Sequence, residues 1–381
     1  MPSKRTDKNL IMSLLAPISN RKQNNLLLGI IGIIITLVVW WIFAEVFSRE
    51  MPVVDIESRL PSTLNNDVNI DSLIAADSLK YVNATEFRKV YPVLPRPDHV
   101  FKSYTSLFGK DKLLANAMHS VWLNTQGYFW AILWALPFGF LLGLIPAVRQ
   151  MFSGQVNALR FLPLTALSGL FLTWFGINDT MKIAFLAFGI LVYLLPVVIQ
   201  RINEVDSVYL KTVYTLGATD WQSIKSVYLP AVFTKLIDDI RVLTAISWTY
   251  IIIAELLSRT PGIGGVGALI FIKGKLGQNE KVFAILLVIV LIGILQDKLF
   301  VLLDKRLFPH KYFAEKPNGL KESRLGILAI FMAITLVILG SVVLPDFSDI
   351  LAQAGWLIGV SGMLILLYGE FKIWRTNSKT T

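Results

Sequence analysis

Apolar runs of about 20 residues, the length that carries a helix across a bilayer core, recur along the chain. Eight are predicted: Leu26–Phe47, Val121–Ala147, Val156–Phe175, Met181–Gln200, Leu236–Leu257, Val282–Leu303, Leu325–Leu344 and Gly355–Phe371. The first meets no charge until Glu45 and carries Trp40 and Trp41 near one end, where an apolar ring with a polar N–H suits the membrane interface. It is longer than the apolar stretch of a signal peptide and no small-x-small site follows it, so it reads as a retained anchor. Val156–Phe175 is the most broken run, interrupted by Arg160 and Pro163.

The polar stretches organise the rest. Met1–Asn25 is basic, with a short surface helix predicted around Leu10–Leu15. Residues 48–120 show modest apolar periodicity over Ile70–Tyr81 and Phe101–Leu114, which predicts a small external helical subdomain. Pro92, Pro95 and Pro97 punctuate it as an extended link. Pro137, Pro163 and Pro196 fall in or near spans and predict kinked, packed helices. The predicted divisions are 1–25, a first span 26–47, the external segment 48–120, a transmembrane core 121–309 with an elbow at 203–235, and two further helices with a tail at 310–381.

Composition agrees with a fold that is all-α and polytopic. The 381 residues are 54% hydrophobic and only 16% charged, with mean hydropathy +0.61; soluble domains carry about 25% charged residues. The absence of cysteine excludes a disulfide scaffold, a thiol nucleophile and a Cys-ligated metal. The net charge of +10 sorts by side. Threading eight spans from a cytoplasmic start places Arg149, Arg201, Lys211, Lys225, Lys235, Lys305, Arg306, Lys311, Lys372 and Arg375 inside, with both termini. The loop Arg259–Lys281, with four bases, is the exception. The excess is thus a positive-inside bias in a multi-pass cytoplasmic (inner) membrane protein, with the bilayer as partner and no nucleic acid.

The most informative polar stretch is Asn203–Arg241. Asp206 or Ser207 can cap a first helix, and Gly217 follows its last apolar position, where a C′ residue takes positive φ. Thr219 and Gln222 have capping-box spacing, and Trp221, Ile224, Val227 and Tyr228 recur about one turn apart. Pro230 is expected to close this second helix. Two capped amphipathic helices need a surface to bury their apolar face. Periodicity alone leaves two choices, the protein's own helices or another protein.

This stretch resembles the cytoplasmic loop of binding-protein-dependent ABC importer permeases. Leu216, Gly217 and Ala218, then Leu229, Pro230 and Ala231, stand at the family's Gly and Leu-Pro positions. Leu172–Ile177 resembles its Trp-Phe-Gly turn, and Asp239–Arg241 the opening of the next helix. Ala254, Glu255 and Leu256 with Gly262 and Gly264 resemble its Ala-Glu…Gly-Leu-Gly element. Leu94–Pro97 and Leu307–Pro309 resemble its two ends. The likeness covers about Leu94–Pro309, a six-helix core, and is nearest to the nitrate/sulfonate/taurine branch. Lys211, Thr212 and Val213 stand where the family has Glu-Ala-Ala.

The resemblance implies a non-catalytic transport subunit for a small anion. Its implied partners are a separate ABC ATPase that binds ATP and Mg, an extracytoplasmic solute-binding protein and a second permease copy. It implies ATPase coupling through Leu216, Gly217, Ala218, Thr219, Trp221, Gln222, Ile224, Leu229 and Pro230, and a solute path near Trp174, Phe175, Glu255, Gly262 and Gly264. The chain itself needs no cofactor on this reading: Gly274-Lys275 is followed by Leu276, so no Walker A motif is present there. Gly262–Gly267 lacks the strand context of a dinucleotide turn and reads as an external turn or half-helix. His99, His119 and His310 show no metal-ligand spacing. Arg160, Lys182, Arg241, Glu255, Asp297 and Lys298 lie in or near spans, where snorkelling is the simple expectation. The alternative function is an ion- or proton-coupled secondary carrier, which calls for repeated halves that the sequence does not display.

Overall fold

The computed structural model describes residues 24–52, 87–257, 263–312 and 318–377. The helices expected around Leu10–Leu15 and Ile70–Tyr81, and Gly262, lie outside them. In chain order the elements are α1 (Asn24–Val46), β1 (Arg49–Pro52), β2 (Phe87–Val90), α2 (Pro97–Gly109), α3 (Leu113–Leu144), α4 (Pro146–Leu159), α5 (Leu164–Phe175) and α6 (Asp179–Asn203). There follow α7 (Ser207–Thr215), α8 (Asp220–Ser223), a π-turn (Ile224–Tyr228), α9 (Leu229–Leu257), α10 (Val266–Lys275), α11 (Asn279–Leu307), α12 (Leu320–Val342) and α13 (Ser348–Asn377). The protein is an all-α polytopic membrane protein. Among the described residues seven helices are long and apolar enough to cross a bilayer, or eight crossings if the bent pair α4–α5 is one span.

Two units can be distinguished: residues 1–105 with 277–284, and 106–276 with 285–381. In the first, α1 is almost wholly exposed to its surroundings, as an apolar helix in lipid can be. Its C-terminal end is fixed by polar contacts. Trp40 Nε1 donates to the Pro95 carbonyl at 3.0 Å, the Arg96 guanidinium lies 4.6 Å from the Trp41 ring centre, and Tyr91 donates to Glu45 at 3.2 Å. Strands β1 and β2 form an antiparallel ribbon with Arg49 opposite Val90. Within 48–120 the described residues are therefore not helical throughout: the ribbon β1–β2 precedes α2, which carries part of the predicted helix Phe101–Leu114, and Leu113–Ser120 is the beginning of α3. Pro97 opens α2, where its missing N–H costs nothing.

In the second unit α3 and α6 run in the same direction in close contact. Gly127, Gly139 and Gly143 of α3 face Leu186, Val198 and Ile202 of α6 at a constant offset. A Cβ on Gly127 would stand 2.7 Å from Leu186 Cβ, so only glycine allows this spacing, the small-residue packing of membrane helices. Ala131, Ala135, Ile190, Leu194, Val232 and Leu236 fill the core that joins α9 to this pair.

The predicted span Val156–Phe175 is not one straight helix. The chain bends by 99° between α4 and α5, around Arg160–Pro163. Pro163 cannot donate in a helix interior, and its ring disfavours helical geometry at the preceding residue. Two of the charges in or near spans are held in ion pairs. Lys182 is fully buried and pairs with Asp179 at 2.8 Å, and Arg241 is bonded twice to Asp297. Helices α12 and α13 form a hairpin in which Gly326 is so close to α13 that a Cβ would meet the Leu366 amide nitrogen at 2.6 Å. Arg306 of α11 holds it by two hydrogen bonds of 2.6 and 2.7 Å to Glu370.

Candidate functional site

The elbow is built by capping. The Asp206 carboxylate accepts from the Val208 amide at 2.9 Å and starts α7. At the other end the Gly217 amide donates to Tyr214 O and the Ala218 amide to Val213 O, each at 3.0 Å. With Gly217 at φ +79°, this is a Schellman close. Thr219 and Gln222 then cap each other: the Thr219 amide donates to Gln222 Oε1 at 2.8 Å and the Gln222 amide to Thr219 Oγ1 at 3.3 Å. Tyr214 donates to Asp220 at 3.0 Å and ties the two arms together. Hence the backbone between Asp206 and Ser223 is locally fixed.

Its side chains are not covered. Leu216 is 81% exposed and Trp221 70%. Gln222 and Pro230 are exposed, whereas Ala218, Ile224 and Leu229 are half-buried. Lys211, at the position of the family glutamate, is exposed on α7. Of the two choices that periodicity left open, the structure leaves Leu216 and Trp221 without cover from the protein's own helices.

Pro230 does not close the second helix, contrary to the sequence expectation. The backbone continues from Asp220 to Leu257. Ahead of Pro230 the chain widens into the π-turn, and the Leu229 amide donates to Ile224 O. The wider turn shifts the hydrogen-bond register where the Pro230 nitrogen has no proton to give, so the proline is absorbed within the helix.

Behind the elbow lies a charge cluster. Arg201 donates to both oxygens of Asp239 at 2.7 Å and to Glu204 at 2.7 Å; Lys235 also reaches Glu204 at 3.0 Å. The hydrogen bond from Arg201, then those from Lys235 and Gln200, hold the Glu204 carboxyl down at about 2.

At the other end of α9, Glu255 is fully buried. It accepts from Ser120 Oγ at 2.5 Å and from the Gly267 amide at 2.7 Å. Ser120 accepts in turn from the Val266 amide at 3.0 Å, and Asn116 from the Gly265 amide at 2.9 Å. Three side chains from two helices thereby satisfy the free amides at the start of α10, where negative charge is favoured. Gly264 is buried beside this cap. Trp174, 62% exposed, and Phe175 end α5; the apolar cluster of Phe171, Phe185 and Ala254 connects α5 to the turn that carries Glu255. The sequence pointed to Glu255 but not to Asn116 and Ser120, whose i,i+4 spacing of small polar residues just before an apolar run was the available signal. Among the described residues no cluster of His, Asp and Glu suits a metal.

Residues 135–309 match the family model described as "Binding-protein-dependent transport system inner membrane component". The chain's relatives agree. It is 27% identical over 218 residues to the Bacillus subtilis (strain 168) protein named "Putative aliphatic sulfonates transport permease protein SsuC", covering 56% of this chain and 77% of that one. It is 26% identical over 221 residues to the taurine transport system permease protein TauC of Escherichia coli K12, covering 57% and 79%. Similar solved structures include the MetNI methionine ABC transporter in inward-facing form, at TM-score 0.44 and 18% identity, covering 51% of this chain and 94% of that one. A second is a bacterial ABC transporter that imports alginate, at TM-score 0.43 and 13% identity, covering 66% and 95%.

Proposed function

We propose that this chain forms the translocation pathway of an ABC importer as one of two identical copies, and that residues 203–235 dock on a separate ATPase. The observation that carries the coupling role is the pairing of a rigidly capped backbone with the uncovered Leu216 and Trp221. A mobile loop transmits force poorly, and an exposed tryptophan at a helix start is a natural anchor for a partner pocket. ATP and Mg are bound by that partner, and this chain performs no chemistry. Lys211 in place of the family acid calls for an acidic group on the ATPase face. The solute is a small sulfonate- or taurine-like anion, in keeping with the names of the relatives, and an extracytoplasmic binding protein delivers it. Both termini and the elbow lie on the cytoplasmic side of the inner membrane, in accord with the basic residues at that end.

The test is co-expression with a candidate ABC ATPase from the same genome. Gly217→Pro and Trp221→Asp are expected to abolish complex formation or solute-stimulated ATP hydrolysis while the permease still inserts. Undiminished coupling in both variants would remove the elbow from this role.

A further inference from the structure

A cavity of about 200 Å3 opens between α4 and the last turns of α6, at the end of the bundle that carries the elbow. We propose that it binds a phosphate group, supplied by the head group of an anionic phospholipid. Arg149, Ser153, Asn157 and Arg160 line it from one stripe of α4, and Gln200 and Asn203 line it from α6. No carboxylate lines it. Every polar side chain in the wall can donate a hydrogen bond, and two are guanidinium groups, whose planar forks match phosphate oxygens.

The two arginines are in different states. Arg149 donates to Asn203 Oδ1 at 2.7 Å, which aligns it along the cavity wall. Arg160 stands at the C-terminal end of α4, and among the described residues no carboxylate pairs with it. An arginine beside water needs no partner, but this one is beside apolar surface. Met151 and Phe152 on α4, and Phe161 and Leu162 after it, are all exposed, Phe161 at 87%. Buried Val156 packs against Leu142 and Leu195, and with Leu142 it forms the apolar part of the cavity wall beside the arginines. A short amphipathic helix that shows apolar residues outward and arginines beside a polar cavity has the character of an interfacial helix. The bend of 99° that follows α4 keeps it from continuing in the direction of α5. Beside such an apolar surface the abundant anion is a lipid phosphate, and basic pockets between membrane helices are suited to anionic head groups. Soluble phosphate shares the same chemistry.

The experiment uses the full chain, purified with its native lipid and then washed in detergent. Native mass spectrometry measures rebinding of phosphatidylglycerol, with phosphatidylcholine as the zwitterionic comparison. A parallel melting series adds inorganic phosphate. Wild type is expected to bind phosphatidylglycerol over phosphatidylcholine, and Arg160→Gln to weaken that binding roughly tenfold, the scale of one hydrogen bond to a charged group. Arg160 makes no hydrogen bond to a neighbouring element, so its loss spares the fold. Arg149→Gln, which also removes the bond to Asn203, is expected to weaken binding at least as much. Arg160→Lys is expected to retain part of it. If inorganic phosphate raises the melting temperature of wild type but not of Arg160→Gln, the site stands with a soluble anion as its source. If neither probe distinguishes wild type from Arg160→Gln and Arg149→Gln, the site does not exist.

Discussion

Arg201 and Asp239, on adjacent membrane helices, are joined by two hydrogen bonds of equal length, 2.7 Å each. The pair is largely buried, with Glu204 and Lys235 beside it. Because both partners are held by parallel bonds, α6 and α9 can neither slide nor rotate past each other at this level. Replacing Asp239 by Ala leaves a partly buried guanidinium without its main acceptor. The expected loss is about 2 kcal/mol, read as a lower melting temperature of the detergent-purified protein, and Asp239→Asn should recover only part of it.

Glu204 confers a pH dependence. Its carboxyl is held at about 2 by Arg201, Lys235 and Gln200, below its ordinary value of 4.5. A carboxylate with a depressed value stabilises the folded state above the ordinary value, and that contribution is lost as pH falls from 4.5 towards 2. Melting temperatures of wild type and Glu204→Gln should therefore differ most near neutrality and converge at acid pH. A constant difference across that window would contradict this assignment.

Gly217 needs positive φ to close α7. Gly217→Ala should cost about 1 kcal/mol, confined to the elbow. Hydrogen exchange is expected to accelerate at the amides of Gly217 and Ala218, whose acceptors are Tyr214 and Val213, with the membrane spans unaffected.

At the far end of α9, Gly267 cannot become alanine without movement. The new Cβ would stand 2.6 Å from Ile252 O and 2.9 Å from Ile252 Cα. Overpacking against backbone costs about 1–3 kcal/mol. Gly267→Ala should reduce the yield of folded protein more than Glu255→Gln, since the glutamine oxygen can still accept from the Gly267 amide.

The C-terminal hairpin offers a parallel test. Gly326→Val places a side chain where Gly362 O and Leu366 N already lie within 2.7 Å of the glycine's missing Cβ. Protease sensitivity between α12 and α13 should rise. Transport should survive if the hairpin lies outside the moving core.

Much of this arrangement is legible in the sequence because its causes are local. A long apolar run needs no distant partner to declare itself, so seven of the eight predicted spans correspond to long apolar helices. The caps at Asp206, Gly217, Thr219 and Gln222 involve residues within a few positions of one another. The ribbon was hidden because its strands are four residues each and carry charges such as Arg49, Glu50 and Lys89 without alternation. The fate of Pro230 depended on a π-turn, which has no composition signal. The partners of Arg201 and Arg241 lie 38 and 56 residues away, and spacing in one dimension cannot pair them. Ser120 and Asn116 acquire their roles only when α3 is brought against the start of α10.

The π-turn has a mechanical consequence. From Asp220 to Leu257 the backbone is one uninterrupted helical rod of 38 residues, roughly 57 Å long at the helical rise. Trp221 stands at one tip and Glu255, holding the Gly267 amide of α10, at the other. A rod without a joint transfers torque along its whole length. A twist imposed on the tryptophan must arrive at the glutamate, or be taken up in the five wider residues that precede Pro230.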